Sequence, residues 1–183
     1  MAIGKTLKHI PEWKIANMNW EPATEADWTS VVAMNAAEEA VLSPMSRDRL
    51  ARLVGWGGRL SVCRAEGEVA AFVLVFSDDS PYDSPNYRWF VDRLRRFTYI
   101  DRMVIGAAWR GQGWGKRSYE HLIRDARAQQ CHWLCCEIDL EPANPSSLGL
   151  NDRQGFVEVG RQRYGLKNKL VSLRVLSLDE GVC

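Results

Sequence analysis

The sequence predicts an α/β fold with a mixed sheet. Three observations carry this. Residues 97–105 (FTYIDRMVI) form a β-like run that leads into a loop with three glycines. Directly after it, Gly115, Tyr119, Leu122, Ile123 and Ala126 recur at helical spacing. Apolar runs of strand length then alternate with helical patterns along the chain, in the order β-αα-βββ-α-β-α-ββ. No repeat of 20–50 residues is visible.

Each element has its own signal. Residues 1–13 are an extension without period, and a domain is expected over 14–183. A first strand is expected within 13–22 (Ile15, Met18, Trp20). Thr24-Glu25-Ala26-Asp27 resembles a capping box with Asp in place of Glu. It opens a helix whose apolar positions are Trp28, Val31, Val32, Ala36 and Ala40, and Ser43-Pro44 breaks that helix. Ser46 caps a second helix over 47–54, which the glycines between 55 and 58 end. Residues 60–65 and 69–76 read as a hairpin across Glu66-Gly67-Glu68. Residues 77–86 are a polar, Pro-containing loop, and such a length inside a domain marks function or mobility. A short helix is expected over 87–96, carrying Trp89, Phe90 and Leu94. After the glycine loop and its helix, 133–140 is a buried strand and 142–145 a turn. Residues 146–154 form a short helix stopped by Gly155, and 156–164 with 170–176 make a closing antiparallel pair.

At 183 residues the chain is one domain, large enough to bury a sizeable core. Its formal net charge of +1 gives no global field to attract nucleic acid or a membrane surface. The N-terminal stretch has lysines and no apolar core of a signal peptide. The longest apolar run, 69–76, is too short to span a bilayer. A cytoplasmic protein is expected. The five cysteines are an odd number, and a disulfide framework is not expected in a cytosolic chain. Cys131, His132, Cys135 and Cys136 lie close together, but no second Cys/His cluster completes four ligands, so no metal site is expected. His9, His121 and His132 are scattered and form no catalytic constellation.

The glycine stretch Arg110-Gly111-Gln112-Gly113-Trp114-Gly115-Lys116 is the chemical centre of the sequence. Glycine permits positive φ and close approach of a ligand. Amides that open a helix lack internal partners and sit at the positive end of the dipole, so they suit an anion. Arg110, Lys116 and Arg117 cluster there, with no acid between Met103 and Tyr119. Cations at a helix N-terminus oppose the dipole by roughly 0.3–1 kcal/mol each, and a bound polyphosphate would reverse that penalty. The spacing is not that of a Walker loop or of a dinucleotide fingerprint.

Arg110-x-x-Gly113-x-Gly115 resembles the [Q/R]-x-x-G-x-[G/A] signature of the GNAT superfamily of CoA-dependent N-acetyltransferases. The element order resembles that family's fold too. So does a second pattern, Asn144-x-x-Ser147 followed by Gly155-Phe156. Residues 97–104, with 82–90 before them, further resemble a subgroup of acetyltransferases without a settled substrate. The resemblance covers roughly residues 14–176. It implies a single domain with a mostly antiparallel seven-stranded sheet splayed at its middle strands, and helices on both faces. It implies acetyl-CoA as acyl donor, with its diphosphate on Gly111, Gln112, Gly113, Trp114, Gly115 and Lys116 and with Arg110 and Lys116 as counter-charges. Its pantetheine arm would lie along the backbone of Met103, Val104 and Ile105 and against Asn144 and Ser147. A homodimer through the last strands is a further expectation of the resemblance. In many family members a Tyr seven residues after the Asn protonates the leaving thiolate. Here that position is Asn151, and an amide supplies no proton near neutral pH.

Acyl transfer to an amine also needs a base. Asp101 is expected on the same strand face as Tyr99 and Met103, and Glu137 lies mid-strand on the next strand. Either is a candidate to take the proton, directly or through water. The structural alternative for each is an ion pair with Arg102, Arg161 or Arg163. Glu38 is a candidate to attract a cationic substrate, and Tyr82, Tyr87 and Trp89 to wall the acceptor pocket. The expected activity is acetyl transfer from acetyl-CoA to a primary amine, favouring a small metabolite, by direct attack in a ternary complex. The alternatives are a CoA-binding regulatory module with little turnover and a protein N-terminal or lysine acetyltransferase.

Overall fold

The computed structural model describes residues 19–165 and 168–179, so the proposed extension 1–13, Ile15 and Met18 lie outside the described residues. The strands are β1 (Trp20–Pro22), β2 (Arg59–Ala65), β3 (Glu68–Ser77), β4 (Phe97–Ile105), β5 (Trp133–Glu141), β6 (Val157–Tyr164) and β7 (Lys169–Ser177). The helices are α1 (Trp28–Ala36), α2 (Arg47–Gly55), α3 (Pro85–Val91), α4 (Trp114–Ala128) and α5 (Pro145–Arg153). The strands form one sheet in the order β1-β2-β3-β4-β5-β7-β6. Every neighbouring pair is antiparallel except β4 and β5.

Two cores cover the two faces of this sheet. On one face α1, α2 and α3 pack Val31, Leu50, Leu53, Tyr87 and Phe90 against Phe72, Phe76, Phe97, Tyr99, Cys135 and Leu173. On the other, Tyr119, Leu122 and Ala126 of α4 meet Val73, Val75, Ile100, Leu134, Cys136 and Ile138. The cysteines of β5 are thus packing groups; burial pushes the Cys136 thiol up to about 12. Among the described residues no three His, Cys, Asp or Glu side chains are grouped to hold a metal ion. No helix there is long and apolar enough to cross a membrane.

Local signals explain most boundaries. The Thr24 amide donates to Asp27 Oδ2 at 2.9 Å, the reciprocal half of a capping box, ahead of α1. Ser46 Oγ accepts from the Arg49 amide at the head of α2. The β2–β3 turn is tighter than the sequence suggests. Ala65 pairs with Glu68, leaving only Glu66 (φ 54°) and Gly67 (φ 84°), a left-handed pair that matches the twist of a hairpin. The first helix ends at Ala36, short of Ala40. Asn35 is fully buried and reaches Ser43 O with its Nδ2 at 3.2 Å, which draws the chain back over the sheet.

The decisive irregularity is in the middle. β4 and β5 pair only from Phe97↔Trp133 to Ile100↔Cys136, and then part. At that point β4 carries a bulge: Ile100 faces Val75 and Arg102 faces Leu74, so Asp101 is the extra residue. A bulge bends its strand and re-aims the side chains beside it. It also corrects the expected alternation. Tyr99 and Val104 lie in the α1–α3 core, whereas Met103 packs in the α4 core with Ile100. Met103 and Tyr99 are therefore on opposite faces.

α5 is tied to the sheet by a charge. Arg174 of β7 is 6 % exposed and donates to Asn151 Oδ1 (2.6 Å), to Phe156 O (3.0 Å) and to Asp152. Replacing Asn151 by Leu leaves the Arg174 Nε proton buried without an acceptor. We expect a loss of about 1–3 kcal/mol, read as a lower denaturant midpoint at unchanged slope.

Candidate active site

Where β4 and β5 diverge, a cavity of about 370 Å³ opens between them. Asp101, Glu137 and Asp139 border it, together with Tyr82, Asp83 and Ser84 of the 78–84 loop, and Tyr119, Asn144, Ser147 and Leu150 of α4 and the α5 region. A groove of about 790 Å³ adjoins it and runs past Met103, Val104 and Ile105 to Arg110, Gly111, Gly113, Trp114, Gly115 and Lys116. Met103, Asn144, Ser147 and Leu150 border both, so cavity and groove form one cleft.

The groove's far end is the glycine loop. Gly111 (φ 72°) and Gly113 (φ 81°) adopt the left-handed conformation, and a Cβ on either would meet no atom within 4 Å. The corner is open, and nothing in the described chain fills it. A Cβ on Gly115 would lie 2.6 Å from Leu150 Cδ2, so this glycine lets α4 approach α5. Trp114, Gly115 and Lys116 are the first residues of α4, and their amides have no intrahelical acceptor. Gln112 folds back on the loop, donating to Ala108 O. Lys116 is 69 % exposed with a long 3.7 Å contact to Glu120, while Arg153 also lines the groove. Arg110 is less available than its place in the motif suggests. Its Nε donates to Ile105 O at 3.0 Å and its Nη2 to Glu38. Glu38 thus borders the groove as the partner of Arg110. Asn144 caps α5, accepting from the Ser147 amide at 3.1 Å.

The charges around the cavity are arranged unequally. Asp101 accepts from Arg102 Nε at 2.9 Å and from the Tyr82 hydroxyl. Asp139 pairs with Lys169 at 2.6 Å, and Asp83 with Arg49 at 2.6 Å. Among the described residues, Glu137 alone of these carboxylates has no cation. Tyr99 Oη donates to its Oε2, and Asn86 Nδ2 donates to its Oε1 at 2.9 Å. Asn86 is itself oriented by Gln162 of β6, whose Nε2 donates to Asn86 Oδ1 at 2.5 Å. Burial raises the Glu137 pKa from 4.5 to about 7; the Asp101 charge adds to this, and the two side-chain hydrogen bonds oppose it. Burial, then the neighbouring carboxylate charge, holds the Tyr82 and Tyr99 phenols far above their usual range, so both act as donors.

The remaining expected residues separate. Tyr82 borders the cavity, stacked on Phe76 with ring centroids 4.1 Å apart. Tyr87 is in the core, and its hydroxyl donates to Ser77 O and Ser80 O, which pins the 78–84 loop. Trp89 packs over Gly160 and under Arg93. Neither Tyr87 nor Trp89 borders the cleft. Tyr99, Asn86, Gln162 and Tyr119 were not singled out as site residues in the sequence. Glu137 within the apolar run LCCEIDL is the one local signal that a polar partner set had to exist.

An open helix N-terminus, a strand edge freed from β5 and a half-buried carboxylate thus meet in one cleft. Over residues 20–156 the chain matches the acetyltransferase (GNAT) family, and it belongs to that family. No curated protein matches the sequence at a significant level. Solved structures share the fold. An N-acetyltransferase from Staphylococcus aureus Mu50 is 22% identical with a TM-score of 0.67, over 90% of this chain and 100% of that one. The proposed acetyltransferase yncA from Salmonella typhimurium, solved with its cofactor acetyl-CoA, is 20% identical with a TM-score of 0.66, over 91% of this chain and 96% of that one. The ribosomal-protein-S18-alanine N-acetyltransferase from Escherichia coli is 15% identical with a TM-score of 0.67, over 89% and 95%.

Glu137 makes a stability prediction. In the folded protein its carboxyl holds a proton up to pH about 7, against about 4.5 when unfolded. The stability this confers is full below the lower value and is lost as pH rises through the higher one, on the order of 3 kcal/mol in all. Glu137→Gln removes the penalty. We expect the Tm of the variant relative to wild type to rise by roughly 5–10 °C between pH 5 and pH 8. A constant difference across that range would show that burial does not strain this carboxylate.

Proposed function

We propose that this GNAT acetyltransferase moves an acetyl group from acetyl-CoA to the primary amine of a small molecule, by direct attack within a ternary complex, with Glu137 as the base. The observation that carries this is the pairing of the carboxylates. Asp101, Asp139 and Asp83 are each neutralised by a cation, and Glu137 is left half-buried, hydrogen-bonded by neutral donors and titrating near neutrality. A base is most useful when its pKa lies close to the working pH.

Family membership and the acetyl-CoA carried by the Salmonella relative support the choice of donor. Bound acetyl-CoA supplies a thioester carbonyl activated toward amines. The open loop fits its diphosphate: the amides of Trp114, Gly115 and Lys116 and the Lys116 ammonium face the groove where a polyanion is favoured. The β4 backbone beyond Ile100, freed from β5, offers a strand edge for an extended arm and donors to polarise a carbonyl. The Gly106 amide donates to Ala70 O of β3, so by alternation the main-chain groups of Met103 and Ile105 face the freed edge; the Ile105 carbonyl is already engaged by Arg110, which leaves its amide and both Met103 groups.

The acceptor enters from the opposite side, past Tyr82, Asp83 and Ser84. With Glu137 ionised the cavity carries one uncompensated negative charge, which attracts an ammonium group. The carboxylate then accepts its proton to give the nucleophilic amine. Asp101, held by Tyr82 and Arg102, is a positioning residue that fixes the loop over the cavity and raises the proton affinity of Glu137. The 78–84 loop lies down on the sheet rather than framing an open channel, which supports a small acceptor over a polypeptide.

Two outcomes test this reading. Thiol release from acetyl-CoA with a panel of primary amines should rise with pH through about 7 as one group ionises. Glu137→Gln should remove that rise and lower kcat roughly 10²- to 10⁴-fold. An unchanged profile would leave the base to water or to Asp101. Separately, Gly113→Val, which forces a β-branched side chain into a positive φ at the mouth of the groove, should abolish CoA binding in calorimetry while the protein still melts cooperatively. Retained affinity would remove the loop from the diphosphate site.

A further inference from the structure

On the other face of the splay, three buried groups meet below the cleft: Tyr119 of α4, Asn151 of α5 and Arg174 of β7. Their hydrogen bonds have a fixed polarity. A guanidinium only donates, so Arg174 Nε, 2.6 Å away, requires the oxygen of the Asn151 amide on its side. The amide nitrogen must then face the opposite way, and it lies 3.1 Å from Tyr119 Oη and 3.3 Å from Cys136 Sγ. Flipping Asn151 would set its NH₂ against a buried cation. Tyr119 is therefore the acceptor in its bond to Asn151, and its own proton has no acceptor among the described residues. The phenol is 3 % exposed, and the open space it borders is the cavity.

Its position is also determined. Tyr119 stands one turn beyond Gly115, at i+4 on the same face of α4. Gly115 and Leu150 line the groove, Leu150 and Tyr119 line the cavity, and Leu150 borders both. The phenol thus lies below the junction of groove and cavity. In the acetyl-CoA reading above, on which this inference rests, that junction is where thioester and amine meet.

We propose that Tyr119 is a catalytic residue whose hydroxyl donates a hydrogen bond to the sulfur of CoA as the carbon–sulfur bond breaks. Glu137 has taken the ammonium proton; the neutral amine nitrogen then bonds to the acyl carbon and loses its second proton to water. The carbon–sulfur electron pair leaves with sulfur, whose negative charge is met by the Tyr119 O–H, and water then protonates the free thiolate. Burial keeps the phenol neutral throughout, so it acts as a donor and not as a full proton source. Asn151 and Arg174 set its direction.

The test uses the full chain and the isosteric variant Tyr119→Phe. With acetyl-CoA and spermidine, L-lysine, tyramine or a hexapeptide with a free N-terminus, the variant should lose roughly 10- to 100-fold in kcat, with KM for acetyl-CoA within about twofold. The slow hydrolysis of acetyl-CoA without amine should fall in parallel. A second readout needs no turnover. The thiol of bound CoA, followed by thiolate absorbance against a desulfo-CoA control, should titrate about one pH unit higher in Tyr119→Phe than in wild type. Unchanged kcat, or an unchanged thiol titration in a variant that still binds CoA, overturns the proposal. A wild-type protein that does not bind CoA overturns the donor assignment itself, and this inference with it.

Discussion

The parting of β4 and β5 is the constraint on which the site depends. A parallel pair with four rungs of backbone bonding must either continue or find other partners for its amides and carbonyls. The extra residue at Asp101 shifts β4 against β3 just where pairing with β5 stops, and β5 has its own irregularity against β7 between Asp139 and Glu141. One irregularity therefore produces three features. It frees a length of strand edge, opens a space between the strands, and brings Asp101 and Arg102 into the same core, where regular alternation would have separated them. Arg102 then ties that core to α1 through Asn35 and Ser43, so the bend is held from outside as well.

The electrostatics follow from the same opening. A carboxylate drawn out of water is costly unless a cation or strong donors meet it. The chain solves this by cations at Asp101, Asp139 and Asp83, and by neutral donors at Glu137. Neutral donors hold a carboxylate in place without lowering its proton affinity as far as a cation would. In the mechanism proposed above, the difference between an ion pair and a Tyr–Asn pair is the difference between a structural acid and a working base. Arg161 and Arg163, which could have quenched Glu137, are instead engaged by Glu158 and Glu141.

The legibility of these features follows sequence distance. The strand, glycine loop and helix over 97–128 could be read because each signal is local: β-branched and aromatic residues, glycines where φ must be positive, and a helical stripe. The capping box at Thr24 and the cap at Ser46 were legible for the same reason. Asp101 was legible as a residue and not as a bulge, because a bulge is a property of register with β3. Asn86 and Gln162 stand 76 positions apart and meet only in the folded sheet. Tyr87 and Trp89 follow a loop that does line the cleft. Their helix begins at Pro85 and turns its aromatic side chains into the core and over Gly160. The position of Arg110 was clear from the motif, but its engagement by Glu38 and Ile105 O was not.

One element links the two ends of the cleft. α4 presents its first amides to the groove and, one turn later, Tyr119 to the cavity. Distances along a helix are set by its rise of about 1.5 Å per residue and change little with side-chain motion. A ligand gripped at Lys116 is therefore indexed to the phenol by the backbone itself. Gly115 sets the other coordinate, because only a residue without Cβ lets Leu150 come close enough for Asn151 to reach Tyr119. The glycine motif thus does two jobs from adjacent positions. Gly113 leaves the end of the groove open, and Gly115 removes space between two helices so that a buried amide can orient a hydroxyl.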